Sequence, residues 1–135
     1  MRNIALVLAS ALALAACDRG AVDPTVSRAA ATDPRPLLDR IETAELVPSG
    51  DGAILRATGV APVQGYWDGA LVEVEEGDPG VLSYAFRAEP PADPARVSTE
   101  RSREVAVALR LTPRDLAGIR EIRVAGAGNA RALRP

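Results

Sequence analysis

From residue 37 onward, apolar side chains return at every second position in runs of five to ten residues, and each run is closed by Gly, Pro or Asp. Successive side chains of an extended chain point to opposite faces, so this alternation predicts half-buried strands rather than long helices. Seven strands are expected, at 41–47, 53–60, 66–75, 81–88, 104–111, 120–125 and 130–134. The first is the least defined, since 37–44 also reads as a helical turn. The fifth is the clearest: Val105, Val107, Leu109 and Leu111 alternate with Glu104, Ala106, Ala108 and Arg110. In the fourth, Leu82, Tyr84 and Phe86 share a face and should point inward. Ser49-Gly50-Asp51-Gly52 and Glu76-Gly77-Asp78-Pro79-Gly80 supply turns. Between the fifth and sixth strands, Thr112 can cap a short helix, Pro113 suits its first position, Asp115 can close a capping box, and Gly118 permits the exit.

About 95 residues with seven short strands resemble an immunoglobulin-like or fibronectin-III-like β-sandwich, so the expected fold class is all-β. The likeness is architectural and carries no function. With 135 residues the chain is large enough for one compact domain, placed at 37–135. In a sandwich of this type the third strand lies beside the sixth, which would set Glu73 and Glu75 against Arg120 or Arg123.

Composition removes many catalytic strategies. All 16 positive charges are arginines, and there is no histidine. The chain therefore lacks a Lys for a Schiff base or P-loop, and a His for a triad or an imidazole-bound zinc. One Cys can form neither an internal disulfide nor a thiolate cage. No cofactor is implied.

The Cys has another use at the N-terminus. Met1, Arg2 and Asn3 form a short positive region, residues 4–14 an apolar run broken only by Ser10, and Ala15 and Ala16 a small-residue end. The uncharged stretch reaches Cys17 after 14 residues, fewer than the roughly 20 that a membrane-spanning helix needs. Leu14-Ala15-Ala16-Cys17 resembles the lipobox of bacterial lipoproteins. The resemblance implies a signal peptide over 1–16, cut before Cys17, whose thiol carries a diacylglyceryl group and whose new amine is usually acylated. Two or three acyl chains hold a protein durably at a membrane. The alternative is an ordinary secretory signal in which Cys17 has no role. Asp18 resembles the inner-membrane retention signal of enteric bacteria, but an all-Arg, Ala-rich composition points to a GC-rich genome, where sorting follows other rules. Inner and outer membrane both stay open, with the protein on the periplasmic side. Gln64-Gly65-Tyr66-Trp67-Asp68 and Arg120-Glu121-Ile122-Arg123-Val124 are similar to stretches of uncharacterised small alphaproteobacterial lipoproteins, a likeness that brings no activity.

Residues 17–36 carry three prolines and no hydrophobic period, so a disordered tether is expected, with a reach of about 24 Å. Residues 17–95 hold 6 Arg and 14 acids, and residues 96–135 hold 9 Arg and 4 acids. This asymmetry reads as complementarity between paired strands in preference to a basic binding face, and nucleic acid is not an expected partner.

The candidate binding surface comprises Tyr66, Trp67, Arg120 and Arg123. Alternation sends Tyr66 and Trp67 to opposite faces; one should fill the core, and the other is available for stacking on a sugar. Glu73, Glu75, Glu76 and Asp78 form the densest acidic cluster, but their spacing matches no EF-hand and no metal is expected. Segment 89–102 is either a docking loop biased to polyproline conformations or a plain connector. Together these features point to a lipid-anchored, non-catalytic binding or assembly module whose partner is the membrane and another envelope protein or a glycan. The alternative is a carboxylate-based hydrolase acting on envelope polysaccharide, which needs two acids in one groove, with Asp51, Asp68, Asp93 and Asp115 available. If Cys17 is acylated, Cys17→Ala should move the protein from the membrane to the soluble fraction of its native host, and inhibition of lipoprotein processing should change its electrophoretic mobility.

Overall fold

The computed structural model describes residues 33–95 and 99–135. Seven strands form two packed sheets: β1 (Arg40–Ser49), β2 (Gly52–Val60) and β5 (Glu104–Leu111) in one, and β3 (Trp67–Val74), β4 (Val81–Glu89), β6 (Glu121–Ala125) and β7 (Ala130–Leu133) in the other. The first run is a strand and contains no helical turn. Ser49 pairs with Gly52 across a two-residue turn in which Gly50 has φ 63°, the position where a II′ hairpin turn places glycine. Between β5 and β6, α1 (Pro113–Leu116) carries the expected capping box. The Thr112 N–H and hydroxyl both donate to Asp115 Oδ2 at 2.7 Å, and the Asp115 N–H donates back to Thr112 Oγ1. Gly118, at φ 74°, lets the chain leave.

The order of the larger sheet, β3-β4-β6-β7, corrects the expected neighbours, because β4 stands between the third strand and the sixth. The cause is local. A short turn over 75–80 folds β4 back against β3 as an antiparallel hairpin, so β6 joins the far edge of β4, in parallel, after α1 has carried the chain across. The Gly80 carbonyl accepts the N–H groups of Arg120 and Glu121, which sets the parallel register. A Cβ at Gly80 would collide with the Arg120 guanidinium. Glu73 and Glu75 consequently do not face the arginines across a ladder. The acids that meet them come from the turn, with Arg120 on Asp78 at 3.1 Å and Arg123 on Glu76 at 2.7 Å.

The folded body also begins earlier than residue 37. Ala88 N–H donates to the Pro36 carbonyl and Leu38 N–H to the Phe86 carbonyl, so residues 36–38 form a short strap along the part of β4 that β6 does not reach. From there the chain crosses to the other sheet as β1.

Phe86, Leu38, Ile41, Leu55, Leu111, Ile122 and Val124 are fully buried, with Val105, Val107, Leu109 and Leu82 packed around them. At one side β5 leans on β3, where a Cβ at Gly69 would lie 2.8 Å from Val105 Cγ1 and 2.9 Å from Val107 Cγ1. Only a residue without a side chain permits that approach. At the other side Asn129 clamps the sheets together: Ile41 N–H donates to its Oδ1 at 2.7 Å, and its Nδ2 donates to the Ile41 carbonyl at 2.9 Å. Ile41 lies where the β1–β2 register slips, so its own peptide groups need a partner outside the ladder.

Asn129→Ala should therefore lower the unfolding free energy by about 1–3 kcal/mol, and Phe86→Ala by about 3–5 kcal/mol. Urea melts with an unchanged slope check both values.

Candidate functional site

Residues directly opposite each other in a sheet share a face. Trp67 is opposite Glu89, Ala70 is opposite Arg87, and Leu37 bridges to Arg87 from the other side. All of these side chains stand on the outer face of the four-stranded sheet, away from the core occupied by Tyr84 and Phe86. Trp67 is 60% exposed and Leu37 38%, the two exposed large apolar side chains among the described residues. Tyr66 turns the other way and packs against the core. The expected division of the two aromatics is thus observed, and Trp67 is the one left at the surface.

The backbone under Trp67 is built to hold it outward. The β3–β4 register shifts between Trp67 and Ala70, and Asp68 sits in the left-handed region at φ 47°. Aspartate tolerates that region better than most residues. Arg35 secures the bulge: Nη1 donates to the Asp68 carbonyl at 2.8 Å and to Oδ2 at 3.2 Å, while Nη2 is 2.6 Å from Asp33. Arg87 donates from Nη1 to the Arg35 carbonyl at 2.6 Å, and its buried Nε has no partner among the described residues. The Arg35 hydrogen bond holds the Asp33 carboxyl down at about 2. An acid whose folded-state value is depressed stabilises the fold above its unfolded value, and that contribution is lost as the pH falls toward 2.

Arg120 and Arg123 lie elsewhere. Both are at the 75–80 turn, at the far end of β3 and β4 from Trp67, so the four candidate surface residues do not converge. There Asp78 takes the Gly80 N–H at 2.8 Å and the Arg120 guanidinium, both of which lower its carboxyl. Arg123 bonds Glu121 at 2.6 Å as well as Glu76. The two arginines are engaged in bracing the turn. Cys17 lies outside the described residues, as do the signal peptide and most of the tether.

A second feature was not anticipated. At the turn end, where the two sheets part, an open cleft of about 340 Å³ is lined by Leu71, Glu73, Leu82, Tyr84, Leu109, Arg110, Leu111 and Asp115. Glu73 is opposite Tyr84 on the inward side. Burial, and then the Asp115 charge, raises the Glu73 carboxyl above its ordinary value. The Thr112 N–H and hydroxyl hold Asp115 below its own. Burial followed by the charges of Glu73 and Asp115 pushes the Tyr84 phenol upward. A hint was present in the sequence, since Glu73 falls on the same phase as Leu71, an acid where alternation calls for a core residue. Among the described residues no group of three or more acidic, His or Cys side chains is placed to hold a metal.

No protein-family model, curated protein or solved structure matches the chain.

Trp67→Ala should change stability by no more than about 0.5 kcal/mol, as expected for an exposed side chain. Asp68→Ala should cost about 1–2 kcal/mol through left-handed strain and the loss of the Arg35 contact, with Asp68→Asn milder. The deficit of Asp33→Asn relative to the native chain should be present at pH 7 and vanish as the pH approaches 2. Thermal melts across that range test all four.

Proposed function

We propose that this chain is a lipid-anchored cell-envelope protein whose two-sheet domain acts on the periplasmic side as a non-catalytic binding or assembly module. The observation that carries this reading is the lipobox Leu14-Ala15-Ala16-Cys17 at the end of a short apolar run, in a chain with no other thiol. The absence of Lys and His narrows the catalytic alternatives and favours holding over transforming. Trp67, with Arg87, Glu89 and Asp68 around it, is a flat aromatic bordered by hydrogen-bonding groups, the chemistry suited to a sugar ring or to an aromatic-accepting protein surface. Because residues 36–38 run beside the same part of β4, the presented face lies next to the point where an anchored chain enters the domain.

The finer fold reading is an immunoglobulin-like or fibronectin-III-like sandwich. Seven strands split three and four support it. In the antibody constant arrangement the fourth strand shares a sheet with the first, second and fifth, whereas here it stands between the third and sixth, so we read the fold as a variant with that strand transferred.

A second reading, a carboxylate-based hydrolase of envelope polysaccharide, gains one specific observation. Glu73 and Asp115 occupy one cleft with their acidities displaced in opposite directions, the division of roles that acid–base chemistry at two carboxyl groups requires.

One experiment separates the two. The native protein, extracted from membranes and incubated with isolated peptidoglycan sacculi, should sediment with them and quench the emission of its single tryptophan, without releasing reducing ends. Trp67→Ala should abolish sedimentation. Release of reducing ends that is lost in Glu73→Gln would overturn the module reading in favour of the hydrolase.

A further inference from the structure

Of the strands at the sheet edges, β1, β3 and β7 carry features that discourage pairing with another chain. The β1 ladder slips between Ile41 and Thr43 and the strand contains Pro48, β3 is bulged at the left-handed Asp68, and β7 has only 4 residues. β5 has none of these. It runs for 8 residues without Gly, Pro or a register shift, and among the described residues it pairs only with β2. Its core-facing Val105, Val107 and Leu109 stay half-buried, whereas Leu55 and Ala57 on β2 beside them are buried.

The register tells which peptide groups of β5 point away from β2. The Ala61 N–H donates to the Arg103 carbonyl at 3.0 Å, and the pairing continues unbroken from Val60 opposite Glu104 to Ala53 opposite Leu111. Hydrogen-bonded pairs alternate with unbonded ones in an antiparallel ladder, so Val105, Val107, Leu109 and Leu111 hold β2. Glu104, Ala106, Ala108 and Arg110 therefore direct both N–H and carbonyl to the open edge. Their side chains are exposed, an acid at one end, a base at the other and alanines between. Glu104 has no ion pair among the described residues, and Arg110 reaches Asp51 at 3.4 Å with both side chains largely in solvent.

We infer that this edge binds a second copy of the chain, whose own β5 adds to it antiparallel. The two-fold axis falls at Val107: Glu104 lies opposite Arg110 of the second copy, Ala106 opposite Ala108, and symmetry supplies the reverse pairs. Every outward N–H and carbonyl from Glu104 to Arg110 then has a partner, both ends become opposite-charge cross-strand pairs, and Val105 meets Leu109 on the core side. Sliding the strands by two residues sets both charges against other neighbours, and a parallel pairing brings like charges together. An extended strand of a different protein gains the backbone bonds without this self-complementary charge order. The axis stands normal to the joined sheet, so Trp67 of both copies faces the same way. The inference needs neither the lipid anchor nor the Trp67 face: an unmodified Cys17 would end the envelope reading and leave it untouched.

Sedimentation equilibrium of the full chain in density-matched detergent at pH 7 should show monomer and dimer with a Kd of about 10–100 μM, as suits an edge contact smaller than a standard interface. Glu104→Arg and Arg110→Glu should each weaken dimerisation by about tenfold or more, and the double variant, with the charges exchanged, should recover to within about threefold of the native chain. Ala106→Pro removes an N–H that β2 does not use, so thermal melts should find it folded while dimerisation is lost. In a Cys17→Ala background, mild oxidation should link Val107→Cys into a dimer and leave Val105→Cys monomeric, because only position 107 faces itself across the axis. A chain that is monomeric at about 500 μM, undiminished dimerisation in folded Ala106→Pro, a double variant no better than the single ones, or equal crosslinking at positions 105 and 107 each overturns the inference.

Discussion

The edge of β4 that faces away from β3 is shared by two pieces of chain. Val81 to Ala85 pairs with β6, and the stretch beyond it bonds to residues 36–38. Because the same strand carries Tyr84 and Phe86 into the core and Arg87 to the outer face, its position fixes both the core and the face that presents Trp67. The division works because each piece is short. Had β6 run the full length of β4, the strap would have no edge to join, and Arg35 would have no route to the bulge beneath Trp67.

The contrast in charge between the two halves of the chain resolves into contacts made between them. Arg120 with Asp78, Arg123 with Glu76, Arg40 with Glu100 and Arg110 with Asp51 each link an acid or base of one half to its opposite in the other. Exposed pairs of this kind contribute little stability individually, about 0–1 kcal/mol. Their value here lies in register: two of them fasten the β3–β4 turn to the strand that enters in parallel beside it, where no tight hairpin turn does that work.

Alternation proved sufficient to find all seven strands to within about two residues, and cap chemistry found the capping residues of α1, because both signals are local. The order of strands in the larger sheet was not legible. Period-two patterning states which face a residue occupies and is silent about the neighbour it pairs with. The same limit separated Trp67 from Arg120 and Arg123: each was recognised as a candidate surface residue, but their distance along β3 and β4 appears only once the hairpin is drawn. The cleft escaped for a different reason. Glu73 and Asp115 are far apart in sequence, and although Asp115 was one of the acids open to a hydrolase, nothing in the pattern paired it with Glu73.

The strap alongside β4 also determines how the domain would respond to being tugged. Tension entering along the N-terminal segment meets the Arg35 contacts with Asp68 first, then the backbone hydrogen bonds from Ala88 N–H to the Pro36 carbonyl and from Leu38 N–H to the Phe86 carbonyl, before it can reach β1. The load would be borne by the central strand of the larger sheet and not by a free edge. A domain of this design can be pulled by its N-terminal end while its outer face stays in register, and its first mechanical failure would be the release of a few residues of slack.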